Sequence, residues 1–302
     1  MSALASFIAG LPKAELHVHH VGSASPRIVA DLAARHAGST PVPADQERSR
    51  EYFVFRDFAH FIEVYLSVVD LIRDPQDVWT LTYEVAQELA AQQVRYAELT
   101  VTPYSSIHRG IAAEAFCEAI EDARVRAEAD YGVVLRWCFD IPGEAGLHVR
   151  RGHVGCRAAT STRRAGQLRA GRPGGRCRAG AVRPLFAQAR AAGLHSVPHA
   201  GESTGPQSIW DALRHLGAER IGHGIAAARD PELLGYLAEA PHSARGLPDL
   251  ERLHPPVPSL AQHLASGPGR SRPVRDDQLR RPANVRDHAE PGVRACGTAA
   301  PA

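Results

Sequence analysis

Apolar positions along the first 140 residues follow two different periods. Ala14 to Val18 is predicted as a short buried strand and Val94 to Val101 as a second strand, and the mostly apolar run Val133 to Phe139 is typical of a strand in a parallel sheet covered on both faces. Between them, apolar residues recur at steps of three and four, which predicts amphipathic helices. These helices are expected at Ser25 to Gly38, Phe58 to Ile72, Val78 to Gln92 and Ile111 to Tyr131, with a polar loop at 39–51. The alternation predicts an α/β fold, and at 302 residues a (β/α)8 TIM-type barrel is the leading architecture.

The pattern of the second half is interrupted twice. Arg150 to Arg183 contains ten arginines and no Asp or Glu, and it follows neither period. Helices are again predicted at 184–192, 206–216 and 231–238, and strands at 194–199 and 220–223. After about residue 240, Pro, Arg and Gly dominate. We therefore expect one domain, 1–302, with regular segments at 8–148 and 184–239. The tracts 149–183 and 240–302 are expected to be disordered, which leaves the barrel incomplete.

Composition excludes several classes of function. The formal charge is +2, so the net charge gives no indication of a nucleic-acid or membrane partner. No apolar run approaches the length of a membrane span. The five cysteines form no CxxC pair, and the first ten residues lack the basic start of a signal peptide. A cytoplasmic location is therefore expected.

Histidines and one carboxylate follow three of the predicted strands. His17 and His19 are two residues apart, so on a strand both imidazoles point to the same face and can reach one ion. His199 ends another strand and is followed by Glu202, a carboxylate suited to proton transfer. His223 lies at a third strand end. Because a barrel enzyme builds its site from several strand ends, this set predicts a metal-assisted hydrolysis site.

The order of these motifs carries a resemblance to a known family. HxHxxG, then HAGE, then HG follow one another at barrel-like intervals, and Leu11-Pro-Lys-Ala-Glu-Leu-His17 and Tyr96-Ala-Glu-Leu-Thr accompany them. In these features the sequence resembles the adenosine deaminase family of zinc hydrolases. The resemblance covers about residues 8–148 and 184–239.

The resemblance implies a role for each residue. His17, His19 and His199 would bind Zn²⁺, which lowers the pKa of a bound water to about 7. The resulting hydroxide would attack carbon 6 of an aminopurine nucleoside, adenosine or 6-amino-6-deoxyfutalosine. His223 would orient the hydroxide and take its proton, Glu202 would protonate ring nitrogen 1, and ammonia would leave. The implied partners are the nucleoside and water, and neither a membrane nor a nucleic acid is expected.

Two positions are implied to contact substrate. Gly201, between the metal histidine and the acid, allows close backbone approach. Val21 stands where the family usually has Glu or Asp, the acid that contacts the ribose 5′-hydroxyl in adenosine-cleaving members. Valine cannot form that hydrogen bond, so it favours a nucleoside with an apolar or bulky 5′ extension, as in 6-amino-6-deoxyfutalosine.

The fourth metal ligand of the family, an Asp in a Ser-Asp-Asp-Pro motif, is not present in this chain. A forward shift of one nucleotide lets the codons of residues 276–294 encode a peptide beginning Thr-Ile-Asn-Ser-Asp-Asp-Pro-Pro, with the metal aspartate across Arg280 and Arg281. The same shift lets 241–251 and 164–182 encode a strand and the purine-binding loop of the family. We therefore infer frame shifts at about 149–183 and after about 240. As written, the chain is expected to fold poorly and to bind zinc weakly through three histidines.

Two alternatives remain open. In the first alternative, the chain is a catalytically dead remnant of such a deaminase. In the second, it is an Arg-rich nucleic-acid-binding protein that binds through Arg150 to Arg183. Metal analysis with an ammonia-release assay separates the first alternative from an active enzyme. Salt-dependent binding of DNA or RNA identifies the second.

Overall fold

The computed structural model describes residues 3–141, 179–202, 204–239 and 244–245. The helices in these ranges are α1 (Ala3–Gly10), α2 (Pro26–Arg35), α3 (Gln46–Tyr52), α4 (Phe58–Val69), α5 (Pro75–Ala91), α6 (Pro103–His108), α7 (Ala113–Tyr131), α8 (Ala179–Ala191), α9 (Gln207–Leu216) and α10 (Pro231–Glu239). The strands are β1 (Lys13–His19), β2 (Val94–Val101), β3 (Val134–Phe139), β4 (His199–Ala200), β5 (Ile221–His223) and β6 (Ala244–Arg245). No helix within the described ranges is long and apolar enough to cross a membrane.

The strands form two parallel sheets, in the orders β1-β2-β3 and β4-β5-β6. The register of β2 and β3 is unbroken, from Tyr96 opposite Val134 to Val101 opposite Phe139. Parallel strands separated by helices confirm the predicted α/β class. In such a sheet the carboxyl ends of neighbouring strands lie at the same edge, which brings together residues that are distant in sequence.

The ends of the helices follow the expected capping chemistry. The Ser25 side chain accepts a hydrogen bond from the N–H of Ile28, and Pro26 occupies the first position of α2. At α5, Asp74 and Asp77 form a reciprocal capping box. These caps explain why both helices begin at Ser/Asp-Pro pairs in the sequence.

Three helices differ from the prediction made from the pattern. The loop predicted at 39–51 is wrong in part, because α3 occupies Gln46–Tyr52 after an N-cap at Asp45. Its polar sequence has no apolar stripe for the periodicity to detect. The helix α6 was not anticipated, and α8 begins at Ala179, five residues before the predicted start. The remainder of the first Arg-rich tract, 149–178, lies outside the described residues.

Each sheet packs against its own apolar core. Leu99, Leu135 and Trp137 are fully buried between the first sheet and its helices, and Phe186 and Ile221 are buried in the second core. Removing each large side chain from water contributes about 1.5–3 kcal/mol, so these two cores hold the strand ends in place.

Strand β1 is less covered than a buried strand should be. His17 is its only buried residue, and Ala14 and Glu15 are exposed. Within the described ranges no strand pairs with the outer edge of β1, since β2 occupies its other edge.

Candidate metal centre

Four histidines from three strands meet at the carboxyl ends of the two sheets. His17 and His19 come from β1, His199 from β4 and His223 from β5. The ring centroid of His17 lies 5.4 Å from that of His19, 4.6 Å from that of His199 and 4.9 Å from that of His223. The structure therefore brings together the imidazoles that the sequence motifs single out.

The closest approach within this group joins His17 and His199. Their Nε2 atoms are 2.6 Å apart, and both rings are buried. Two imidazole lone pairs facing each other at this distance repel unless a proton or a cation lies between them. In a tetrahedral zinc site, two ligand nitrogens lie about 3.4 Å apart, given Zn–N distances of about 2.0–2.1 Å. The two nitrogens could therefore both bind one zinc ion if the rings moved apart by less than about 1 Å.

The tightest set of three differs from the set predicted as metal ligands. Ligand atoms of His17, His199 and His223 all lie within 4.8 Å of one another, and all three residues are buried. His19 is half-buried beside this set, with its ring stacked on His199 at 5.3 Å between centroids. Residues predicted to bind the metal and to move the proton therefore share one cluster.

The backbone at β5 is shaped around His199 and His223. His223 has a φ of 63°, which is uncommon for a residue other than glycine, and Gly224 follows with a φ of 68°. A Cβ at Gly222 would lie 3.0 Å from Cδ2 of His199. Glycine at 222 is therefore what allows the His199 ring to lie against β5, a close approach that the sequence pattern did not reveal.

Gly201 has a φ of +71°, which favours glycine. A Cβ there would lie 2.6 Å from Cδ1 of Ile209, and the N–H of Gly201 donates to Oγ of Ser208 at 2.9 Å. Helix α9 therefore packs directly against Gly201, and this contact fixes the path of the chain from His199 to Glu202.

Glu202 and His223 form an ion-pair contact inside the cluster. Oε2 of Glu202 lies 3.5 Å from Nε2 of His223, and the two side chains are 11% and 2% exposed. A carboxylate and an imidazole are the side chains that most often transfer protons in enzymes, and both lie here beside the histidine cluster. The pair can therefore serve both to accept and to deliver a proton next to the histidine cluster.

His20, directly after the predicted ligands, points away from the cluster into the helices. Oγ1 of Thr82 donates to the carbonyl of Val78 at 2.8 Å, so it accepts a hydrogen bond from Nε2 of His20 at 2.9 Å. Burial lowers the pKa of His20 to about 4, which leaves the ring neutral at neutral pH. This histidine is part of the packing.

Val21 begins a short 3-10 turn immediately beyond these histidines and is half-buried. It lines a cavity of about 30 Å³ together with Tyr65, Val69 and Ile72. This volume accommodates about one or two water molecules. Thr102, Ser105 and Ser106 line the same cavity, so its lining is mixed and Val21 belongs to the apolar part.

The described residues do not include the region where a fourth ligand was sought. Asp276 and Asp277, like the rest of 246–302, lie outside them. Gly201, Glu202, His199 and His223 lie within the described residues, as does the whole of β1.

Comparisons with known proteins agree on one family. The family model for adenosine deaminase matches residues 12–243. Aminodeoxyfutalosine deaminases of Streptomyces avermitilis and Streptomyces coelicolor are 63% and 62% identical over 240 residues, which cover 78% of this chain. The chain spans 66% and 61% of the length of these relatives, slightly under two thirds. An adenine deaminase of Bordetella avium is 30% identical over 237 residues, covering 77% of this chain and 73% of that protein.

Solved structures give the same result for the fold. The adenine deaminase of Arthrobacter aurescens superposes with a TM-score of 0.72 at 28% identity, covering 83% of this chain and 76% of that one. An amidohydrolase of Burkholderia ambifaria, solved with bound Zn, also has a TM-score of 0.72, at 23% identity, with 84% and 71% covered. These similarities confirm the predicted (β/α)8 barrel, of which the described residues supply β1 to β6.

Proposed function

Because the chain belongs to the adenosine deaminase family, we propose that it catalyses the hydrolytic, zinc-dependent deamination of a 6-aminopurine nucleoside, releasing ammonia. The observation that carries this proposal is the convergence of His17, His199 and His223 within 4.8 Å of one another. Buried imidazoles at strand ends are typical of hydrolytic zinc sites.

The metal is proposed to be held by His17, His19 and His199. When bound, zinc would lower the pKa of a water molecule to about 7 and so supply a nucleophile at neutral pH. The chain contributes neutral imidazoles on rigid strand ends. Gly222 contributes by leaving room for the His199 ring.

His223 and Glu202 are proposed to manage the protons of the reaction. His223 takes a proton from the attacking water, and Glu202 protonates nitrogen 1 of the purine ring, which disperses the charge that develops when carbon 6 becomes tetrahedral. Their contact of 3.5 Å supports a coupled role, because the proton taken by one group stabilises the charge of the other. Gly201 is proposed to place its backbone beside the substrate.

The preferred substrate is proposed to be 6-amino-6-deoxyfutalosine, with adenosine as the alternative. Relatives described as aminodeoxyfutalosine deaminases share 62–63% identity with the chain, whereas the relatives described as adenine deaminases share 30–34%. The Val21 side chain, which cannot accept a hydrogen bond, supports a nucleoside whose 5′ end lacks a free hydroxyl. We further propose a cytoplasmic enzyme whose partners are this small molecule and water.

The test is ammonia release by purified chain that has been stripped with a chelator and reloaded with zinc. We expect release from 6-amino-6-deoxyfutalosine only after reloading, and a loss of at least about 100-fold in Glu202→Gln. The matched control Glu219→Gln removes an exposed carboxylate that contacts His195, away from the cluster. Equal turnover of zinc-loaded and stripped protein would contradict the proposal.

A second candidate is a non-catalytic remnant of this enzyme. The absence of a Ser-Asp-Asp-Pro motif from the sequence favours it, because three histidines alone hold zinc less tightly than a complete ligand set. The proposed frame shifts account for this absence. Zinc binding without ammonia release, together with turnover by a chain whose frame has been restored after residue 240, identifies this case.

A further inference from the structure

A buried ion pair lies inside the barrel beneath the histidine cluster. Arg220 contacts Glu98 through two nitrogens, at 3.1 Å to Oε1 and 2.5 Å to Oε2, and the side chains are 19% and 3% exposed. The hydroxyl of Tyr96 also donates to Oε1 of Glu98, at 3.1 Å. Barrel interiors are normally filled by apolar side chains, so a charged pair in this position requires a reason.

The pair joins the two sheets directly below the metal centre. Glu98 is on β2, two residues before Thr100, which is the register partner of His19 on β1. Since residues two apart share a face of a strand, Glu98 lies about 7 Å below the level of His19. Arg220 immediately precedes β5, three residues before His223.

The neighbourhood of the pair confirms that both groups face the interior. Cys138, the register partner of Thr100, is fully buried, and burial raises the pKa of its thiol. The charges of Glu98 and Arg220 also affect this thiol, in opposite directions, so all three groups share the barrel interior. Burial and the adjacent Glu98 raise the pKa of Tyr96 to about 12, so its hydroxyl remains a donor.

Stability alone does not account for such a pair. Apolar residues of similar volume in place of a buried ion pair are often neutral or stabilising, because the charges no longer have to be desolvated. The bidentate contact does fix a direction and a distance, which apolar packing does not. It fixes them between β2 and β5. The strand next to β2 is β1, which carries His17 and His19, and the strand next to β5 is β4, which carries His199.

We propose that Glu98 and Arg220 are positioning residues that set the distance between the β1 histidines and the β4–β5 histidines, and so tune the affinity for the metal. They act through the strands and touch neither the metal nor the substrate. The inference rests on the proposed zinc site. It is tested by metal binding without substrate, so it can fail or succeed whether or not the chain deaminates a nucleoside.

The experiment replaces the pair by apolar side chains, Glu98→Leu with Arg220→Met, in the full chain. Zinc affinity is measured by competition with a chelator, the ligand field is monitored with cobalt(II), and stability is measured by denaturant unfolding of the metal-free protein. We expect an unchanged unfolding midpoint, a zinc affinity lower by at least about tenfold, and an altered cobalt spectrum. The control Tyr96→Phe keeps the ion pair, and its zinc affinity should stay within about twofold of the original.

Two results would overturn the proposal. One is a double variant that binds zinc as tightly as the original chain. The other is an equal loss of affinity in Tyr96→Phe. If the double variant does not fold, Glu98→Asp serves instead, since it keeps the charge and shortens its reach by one methylene. A folded Glu98→Asp protein with lowered zinc affinity supports the proposal, and unchanged affinity overturns it.

Discussion

The Nε2 atoms of His17 and His199 lie 2.6 Å apart, although 182 residues separate them in the chain. One belongs to the first sheet and the other to the second, so the contact depends on how the two sheets close on each other. Each ring is carried by a strand end that its own apolar core supports. The positions of the histidines therefore depend on the geometry of the barrel. Small structural changes beneath or beside the cluster should lower the metal affinity more than they lower the stability of the fold.

Gly222→Ala should weaken zinc binding with little loss of stability. The new methyl group would lie 3.0 Å from Cδ2 of His199, so the ring must tilt away from its place beside His17. We expect a zinc affinity about tenfold lower, measured by chelator competition. Gly205→Ala is the matched control, because nothing lies within 4 Å of its Cβ position. Equal affinities of the two variants would show that the ring has room to move.

Gly201→Ala should destabilise the fold by about 2–4 kcal/mol in denaturant unfolding. The substitution adds backbone strain at a φ of +71° and places a methyl group 2.6 Å from Ile209. Gly193→Ala isolates the backbone part, since its φ is +81° and its Cβ position is open, and it should cost about 1–2 kcal/mol. Adding Ile209→Val to Gly201→Ala should recover part of the difference. A double variant no more stable than the single one would contradict the steric explanation.

Asp77→Asn should be strongly destabilising although Asp77 is remote from the cluster. Its fully buried carboxylate accepts hydrogen bonds from Nε of Arg35 at 2.7 Å, Nε2 of His36 at 2.9 Å and the N–H of Arg73 at 3.0 Å. An amide turns one acceptor into a donor among these donors, so we expect a loss of about 3 kcal/mol in the free energy of unfolding. Asp74→Asn keeps its helix cap and should cost less than about 1 kcal/mol.

Under the proposed function, Val21→Asp should shift the substrate preference towards adenosine. The carboxylate would replace an apolar side chain in the cavity that Val21 lines with Tyr65 and Val69, and it would accept a hydrogen bond from a free 5′-hydroxyl. We expect the ratio of kcat/KM for adenosine over 6-amino-6-deoxyfutalosine to rise at least about tenfold, which corresponds to about 1.4 kcal/mol. Val21→Leu, which stays apolar, should leave the ratio near its original value. An unchanged ratio in Val21→Asp would show that Val21 does not determine the substrate preference.

Local signals in the sequence determine the parts of the fold that were predicted well. The strand predicted at Val94 to Val101 has these bounds in the structure, because its β-branched and aromatic residues favour a strand without any distant partner. The helix that follows Ser25-Pro26 begins where its capping residues indicate. In contrast, α3 was missed because its stability depends on the Asp45 cap and on contacts with α2, which leave no apolar stripe in the sequence.

The site was predicted as a set of residue types, and its geometry depends on long-range packing. Spacing alone brings His17 and His19 to one face of a strand. The inclusion of His223 in the tightest group of three depends on the pairing of β4 with β5 and on a positive φ at His223. The contact of Gly222 with His199 and the ion pair of Glu98 with Arg220 join elements far apart in sequence, and no local pattern encodes them.

X-ray absorption at the zinc edge of the loaded chain tests the central claim most directly, because it reports the atoms around the metal. We predict a first shell of imidazole nitrogens at about 2.0–2.1 Å, with the imidazole contribution reduced in His199→Ala. A sulfur shell at about 2.3 Å would place the zinc on cysteines, and a spectrum unchanged in His199→Ala would place it elsewhere; either would contradict a metal centre built from His17, His19 and His199.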